Sequence, residues 1–167
     1  NDGNWNWTEV THLTGWTGDE MTFSLAVNDY DLDGFLDLYF VNNQRIILGP
    51  PGTEPGDPPG PTVTIVPADD ALWRARGDGS FENTTSLLPA GLLNGRGWTA
   101  LWSDLDLDGD QDLYVASEWR PTPDVQPNHL FRNDGPDGAG GWTFTLVDET
   151  CFCDMLIAPM GVIAGDY

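Results

Sequence analysis

Positively charged residues are scarce in this sequence: six Lys and Arg stand against 27 Asp and Glu, which gives a formal net charge of −21. Because nucleic acids and anionic membranes are bound by basic side chains that neutralise phosphate, this composition argues against both as partners. The sequence also has no run of 18 apolar residues, and its N-terminus carries no basic or hydrophobic signal region. We therefore expect no membrane insertion.

Cysteine and histidine are also scarce, with two of each. Cys151 and Cys153 are two residues apart, and in an extended chain such a pair is near the upper distance limit for a disulfide. A strained bridge, free thiols and intermolecular bridges all remain open. Two thiolates are too few for a closed zinc site. His129 falls in a predicted strand, and no catalytic His, Ser or phosphate-binding glycine motif is present. The sequence thus predicts no catalytic residue and favours a protein that is not an enzyme.

Aspartate, by contrast, is concentrated in two nine-residue segments, Asp29 to Asp37 and Asp104 to Asp112, which hold nine of the 27 acidic residues. We call these segments loop 1 and loop 2. Each has carboxylates at its positions 1, 3, 5 and 9 and a glycine at position 6, where a sharp turn requires one. Ca²⁺ takes roughly six to eight oxygen ligands, so such a loop can wrap one ion, with a backbone carbonyl at its seventh residue. A divalent cation would also offset the repulsion among the carboxylates.

The loops match an EF-hand only as far as the glycine, because the last acid then comes at position 9 and strand residues follow it. Apolar segments predict strands before and after each loop, at 23–27, 38–41, 98–102 and 113–116. A strand, a Gly-Asp turn and a final strand follow, at 72–84 and at 129–147. Residues 1–11 match the end of such a unit, and Met160–Ala164 matches the first strand of another.

These repeats divide the chain into four parts. Residues 1–22 are expected to be the end of a preceding unit with a linker, 23–97 the first full repeat, 98–159 the second, and 160–167 the start of a truncated third. Four short antiparallel strands per unit are typical of a β-propeller blade. The Gly- and Pro-rich insertion 49–61 is expected to be a surface loop with polyproline character.

The sequence resembles the FG-GAP or VCBS-like repeat family, which builds the calcium-binding propellers of integrin α-subunits and of many bacterial secreted proteins. The matching segments are 27–39, 102–114, the Leu-Phe-Arg-Asn-Asp-Gly turn at 130–135, and 161–167. The resemblance implies an all-β fold of propeller-type blades, each with four antiparallel strands. About two full blades and partial blades at both ends are expected.

The resemblance also implies two complete Ca²⁺ sites. The first would use the carboxylates of Asp29, Asp31, Asp33 and Asp37 and the carbonyl of Phe35. The second would use the carboxylates of Asp104, Asp106, Asp108 and Asp112 and the carbonyl of Asp110. Asp166 would begin a third site, which is incomplete.

The function expected is that of a calcium-binding extracellular or cell-surface segment, because millimolar Ca²⁺ outside cells suits sites of modest affinity. It would act in adhesion, binding, or surface or fibre assembly. Its partner would be a protein or polysaccharide at a cell surface, or other copies of the chain paired through open blade edges. The alternative is part of a secreted polysaccharide-active enzyme, a lyase or hydrolase with a propeller fold.

Two further motifs each have two interpretations. The eight tryptophans suit stacking on sugar rings or packing between blades, and the alternation of Trp5 and Trp7 favours packing. Arg76-Gly77-Asp78 spells a tripeptide that integrins recognise, but it falls inside the repeated Gly-Asp turn, which explains it without an adhesive role.

Overall fold

The computed structural model of the chain describes residues 3, 5–9, 11–14, 20–52, 60–93, 97–117, 127–147 and 161–165. These residues form an all-β structure with two antiparallel sheets, so the predicted fold class is confirmed at this level. Helical structure in the described ranges consists of one α-helical turn, α1 (Thr11–Thr14), and one 3₁₀ turn (Thr85–Leu87).

Sheet A has five strands in the order β1-β2-β4-β5, with β3 paired to the distal part of β2. Its strands are β1 (Glu20–Asn28), β2 (Asp37–Pro51), β3 (Pro61–Pro67), β4 (Ala71–Ala75) and β5 (Phe81–Asn83). Sheet B has four strands in the order β6-β7-β8-β9. They are β6 (Gly97–Ser103), β7 (Asp112–Ser117), β8 (His129–Pro136) and β9 (Trp142–Leu146).

The strands expected on both sides of the two loops are present. In sheet A they are β1 and β2, and in sheet B they are β6 and β7. The strand after the Gly-Asp turn is also present in both sheets, as β5 and β9. Alternating apolar residues between turn residues were therefore a sufficient signal for these elements.

The Gly- and Pro-rich segment 49–61 differs from the expected surface loop. Strand β2 continues through Pro51 and β3 begins at Pro61, so both ends of the segment lie in a hairpin; residues 53–59 lie outside the described ranges. Five consecutive β-branched residues at 62–66 favour a strand there. Proline is tolerated because it lies at the end of the paired region, where few ladder hydrogen bonds are lost.

The partial strands expected near the two ends are not formed by the described residues. Residues 5–9 have no strand, and a helical turn follows at Thr11–Thr14. Residues 161–165 also have no strand, and Ile163 is exposed. The physical reason is that an isolated apolar segment leaves its backbone donors and acceptors without a neighbouring strand.

The core lies between the two sheets, with β6 placed against β1 and β2. Tyr39 and Val41 of sheet A and Leu113 and Val115 of sheet B are among its buried members. The sheets come close at Gly97, where an added Cβ would lie 2.4 Å from Cγ1 of Val41. The two sheets therefore share one hydrophobic core.

The aromatic residues divide between the core and the surface. Trp102 is buried, and Trp98 lies edge-on to Phe23, which agrees with the packing interpretation. Trp5 and Trp7 are exposed, so neither packs into the core of the described residues, and their packing against a further blade stays a prediction. No strand forms around them in residues 5–9, so no sheet face is available to bury them.

We expect Leu113→Ala to destabilise the fold by about 2–5 kcal/mol, because Leu113 is 0% exposed and its truncation would leave a cavity between the sheets. The control is Leu48→Ala, at a side chain that is 66% exposed, where we expect a change within about 0.5 kcal/mol. Denaturant unfolding followed by tryptophan fluorescence measures both. Equal losses for the two variants would contradict the placement of the core.

Candidate metal centre

The two aspartate loops occupy the same position in their sheets. Loop 1 joins β1 to β2 and loop 2 joins β6 to β7, and each is closed by a strand pair, Asn28 with Asp37 and Ser103 with Asp112. The ninth residue of each loop is thus the first residue of the second strand. A rigid antiparallel pair supports both ends of each loop.

The first aspartate of each loop caps the turn. Oδ1 and Oδ2 of Asp29 accept hydrogen bonds from the backbone N–H groups of Asp33 and Gly34, at 3.0 and 2.8 Å. The carboxylate of Asp104 accepts the equivalent bonds from Asp108 and Gly109, both at 3.1 Å. The aspartates at position 5, Asp33 and Asp108, also match. Each accepts a hydrogen bond of 2.9 Å from the backbone N–H group two residues further along the chain. Carboxylates near the turn are therefore held by the backbone.

The aspartate at position 9 of each loop connects three segments of its sheet. Asp37 accepts hydrogen bonds from Tyr30 N at 3.1 Å and from Ala75 N in β4 at 2.8 Å. Asp112 accepts them from Leu105 N and from Asn133 N in β8, both at 2.9 Å. Both carboxylates are 1% exposed. Burial raises the pKa of Asp37 to about 6 and also raises the pKa of Asp112.

The backbone of the two loops follows the same unusual path. Gly34 and Gly109 have φ angles of +91° and +101°, which is the conformation expected of a glycine at position 6. Leu32 and Leu107, both at position 4, have φ angles of 56° and 65°. Non-glycine residues rarely adopt this left-handed conformation, and its recurrence at one position marks a shared geometric requirement.

Three carboxylates converge in each loop, but the two sets differ. Oxygen atoms of Asp29, Asp31 and Asp37 lie within 4.8 Å of one another in loop 1, and those of Asp104, Asp106 and Asp108 do so in loop 2. Each set could hold a metal ion through hard oxygen donors. The fourth carboxylates predicted for the sites, those of Asp33 and Asp112, lie outside these sets.

The seventh residue of each loop lies against a glycine near the end of the third strand: Gly77 follows β4, and Gly135 lies in the last part of β8. An added Cβ at Gly77 would be 2.6 Å from the Phe35 ring, and one at Gly135 would be 2.9 Å from a carboxylate oxygen of Asp110. Both glycines also have positive φ angles, 75° and 74°. This close approach explains the glycine of the Arg76-Gly77-Asp78 tripeptide, whose aspartate accepts hydrogen bonds from Ser80.

Several residues around the loops were not anticipated. Arg74 pairs with Asp31 and Asp33, and Arg132 pairs with Asp134. The buried Asn133 side chain donates to Tyr30 O at 2.9 Å and so joins sheet B to loop 1. The ring of Tyr30 stacks on Trp102, with ring centroids 6.2 Å apart. The sequence did contain a signal for Arg74 and Arg132, because the arginine recurs in Leu-Trp-Arg and Leu-Phe-Arg.

Asp70 is a buried carboxyl outside the two loops. Its oxygens accept hydrogen bonds from Asn42 N at 2.7 Å and from the Tyr39 hydroxyl at 2.9 Å. Burial raises its pKa to about 8. No local motif distinguishes it, because its two partners lie about thirty residues earlier in the chain, in β2.

Two groups of predicted residues lie outside the described ranges: Asp166, expected to begin a third site, and the Cys151–Cys153 pair. His129 lies in β8, where it is buried beside Phe131.

The chain matches no protein-family model, no curated protein and no solved structure. The described part of the chain contains no helix long and apolar enough to span a membrane.

The Asp70 carboxyl generates a pH prediction. Its pKa rises from 3.8 to about 8 on folding, so between these values the folded state holds a proton that the unfolded state has lost. Its contribution to stability is therefore lost as pH rises through this window. Asp70→Asn removes the ionisable group and keeps the shape of the side chain. As pH rises from 5 to about 8, we therefore expect this variant to lose less stability than the parent protein does.

Melting temperatures of both proteins, measured across this pH range with Ca²⁺ present, provide the comparison. The slope of melting temperature against pH is compared between the two proteins. The difference between these slopes reports the effect of Asp70 separately from the other carboxyls. Identical slopes would show that Asp70 does not carry this proton.

Proposed function

We propose that this chain is a Ca²⁺-stabilised segment of an extracellular β-propeller that acts in adhesion, binding or surface assembly. The observation that carries the proposal is the equivalence of the two loops. The same five backbone-to-carboxylate hydrogen bonds occur in both, at the same junction between the first two strands of a sheet. Two loops with one geometry and converging carboxylates favour one shared ligand.

The chemistry of the loops supports Ca²⁺ as that ligand. Each convergent set consists of carboxylates alone, without the imidazole or thiolate donors that zinc and copper favour. Mg²⁺ demands a near-ideal octahedron, whereas Ca²⁺ accepts irregular sets of carboxylates and backbone carbonyls. Carboxylate oxygens that accept one N–H bond retain a lone pair for a metal.

The arrangement of the sheets supports their assignment as propeller blades. Leu38 and Phe40 in β2 occupy the same positions after loop 1 that Leu113 and Val115 occupy after loop 2. Leu113 and Val115 are buried in the core that the two sheets share, while Leu38 and Phe40 are half-buried on the other face of sheet A. This difference favours two blades stacked in the same sense. A further sheet could cover the open face of sheet A by the same contact.

The open face of sheet A is apolar, which supports a larger assembly of blades. Leu25 and Val27 lie on this side of β1, paired with Phe40 and Leu38, and each is more than 40% exposed. Such a surface is costly in water and is typical of a protein interface. In the proposed function, Ca²⁺ stabilises the loops that join the strands, and the assembled blades present the binding surface.

The test removes one charge from each loop at position 3. Asp31→Asn and Asp106→Asn preserve side-chain shape, and we expect each to remove one of two bound Ca²⁺ ions in calorimetric titration. The double variant should bind none, and its melting temperature should no longer rise with Ca²⁺.

The matched control is Asp69→Asn, which removes the same charge from an exposed aspartate in the turn before β4. It should keep both ions. If the double variant retains the stoichiometry and the Ca²⁺-dependent rise in melting temperature of the parent protein, the two loops are not the calcium sites.

A further inference from the structure

The third strand of each sheet carries an arginine at the same position. Arg74 in β4 follows Trp73, which pairs with Leu38, and Arg132 in β8 follows Phe131, which pairs with Leu113. Leu38 and Leu113 each follow the aspartate at position 9 of their loop, so the two arginines occupy equivalent positions in their sheets. Their side chains nevertheless have different partners.

Arg74 points into loop 1. Its Nε forms an ion pair with Oδ2 of Asp31, and its Nη2 donates a hydrogen bond to Oδ2 of Asp33 at 3.1 Å. The Asp31 side chain is 0% exposed. A buried carboxylate needs a compensating positive charge, and Arg74 supplies one from within the chain.

Arg132 is held instead by a carboxylate on its own strand. Its Nε and Nη2 both contact Oδ1 of Asp134 at 2.6 Å. In sheet A the residue two positions after the arginine is Arg76, which pairs with Glu82 at 3.1 Å. A second arginine cannot pair with Arg74, so Arg74 is available to loop 1. One difference, Arg76 against Asp134, accounts for the two orientations.

We propose that Arg74 is a built-in counter-ion of loop 1 that competes with the metal, so that loop 2 binds Ca²⁺ more tightly and fills first. This inference rests on the proposed function of both loops as calcium sites. Asp31 belongs to the convergent set of loop 1, so an ion bound there shares this buried carboxylate with the guanidinium and competes with it. The cost is smaller at loop 2, because Arg132 is paired with Asp134 and its attraction to Asp106 and Asp112 is weaker.

The counter-ion has a structural purpose at this position. Loop 1 lies at the contact between the sheets, where Tyr30 is 1% exposed, whereas Leu105 at the equivalent place in loop 2 is 47% exposed. Loss of order in loop 1 would therefore disturb the shared core. Arg74 stabilises the metal-free form of the loop that the core depends on.

The experiment measures each loop alone by calorimetric titration of metal-free protein with CaCl₂. Loop 1 is measured in the Asp106→Asn background, and there we expect Arg74→Met to tighten Ca²⁺ binding by about tenfold or more. The matched control is Arg132→Met in the Asp31→Asn background, where we expect a change of less than about threefold. The converse variant, Asp134→Arg, should release Arg132 towards loop 2 and weaken its binding.

A purely structural role for Arg74 gives the opposite sign, because loss of a supporting contact would weaken Ca²⁺ binding. Unchanged or weaker binding at loop 1 in Arg74→Met therefore overturns this inference and leaves the proposed function standing. Absence of Ca²⁺ binding by the parent protein overturns both. The melting temperature of metal-free Arg74→Met should also fall further than that of Arg132→Met, since the buried Asp31 then loses its charged partner.

Discussion

The rest of the structure depends on one interaction, the buried aspartate that ends each loop. Asp37 and Asp112 each accept one backbone hydrogen bond from the loop and one from the third strand of the sheet. A single side chain thereby sets the path of the loop, the start of the second strand and the position of the third strand. The remaining aspartates of the loop are anchored next to this attachment, so the candidate metal centre and the sheet depend on the same contact.

That attachment has an electrostatic cost. Burial raises the pKa of Asp37 to about 6, and it also raises the pKa of Asp31. In loop 1, positive charge from Arg74 offsets part of this cost. In loop 2 the carboxylates of Asp106 and Asp108 are exposed, and water screens their repulsion. The two loops thus share a backbone geometry and differ in how their charge is balanced.

The same asymmetry runs through the packing of the sheets. Tyr30 of loop 1 is buried among Trp102, Trp142 and Phe144 of sheet B. Its equivalent Leu105 is exposed, because the described chain places no further sheet beyond sheet B. Position in the stack therefore decides which of two similar loops becomes part of the core. It also leaves an apolar face of sheet A open, which a repeating architecture would cover.

Local pattern was enough to predict the flanking strands, the two loops and their glycines, because alternation and turn chemistry act between near neighbours. It failed at the ends of the Gly- and Pro-rich segment, which lie in β2 and β3, and at residues 5–9 and 161–165, where the described residues offer no pairing strand. The sequence by itself determined the all-β class and the two clusters of carboxylates. Only the tertiary structure decided that Arg74 pairs with loop 1 while Arg132 pairs with Asp134, that Tyr30 is buried, and that Asp70 accepts a hydrogen bond from Tyr39. Those choices depend on contacts between strands far apart in the chain, whose energies no local pattern contains.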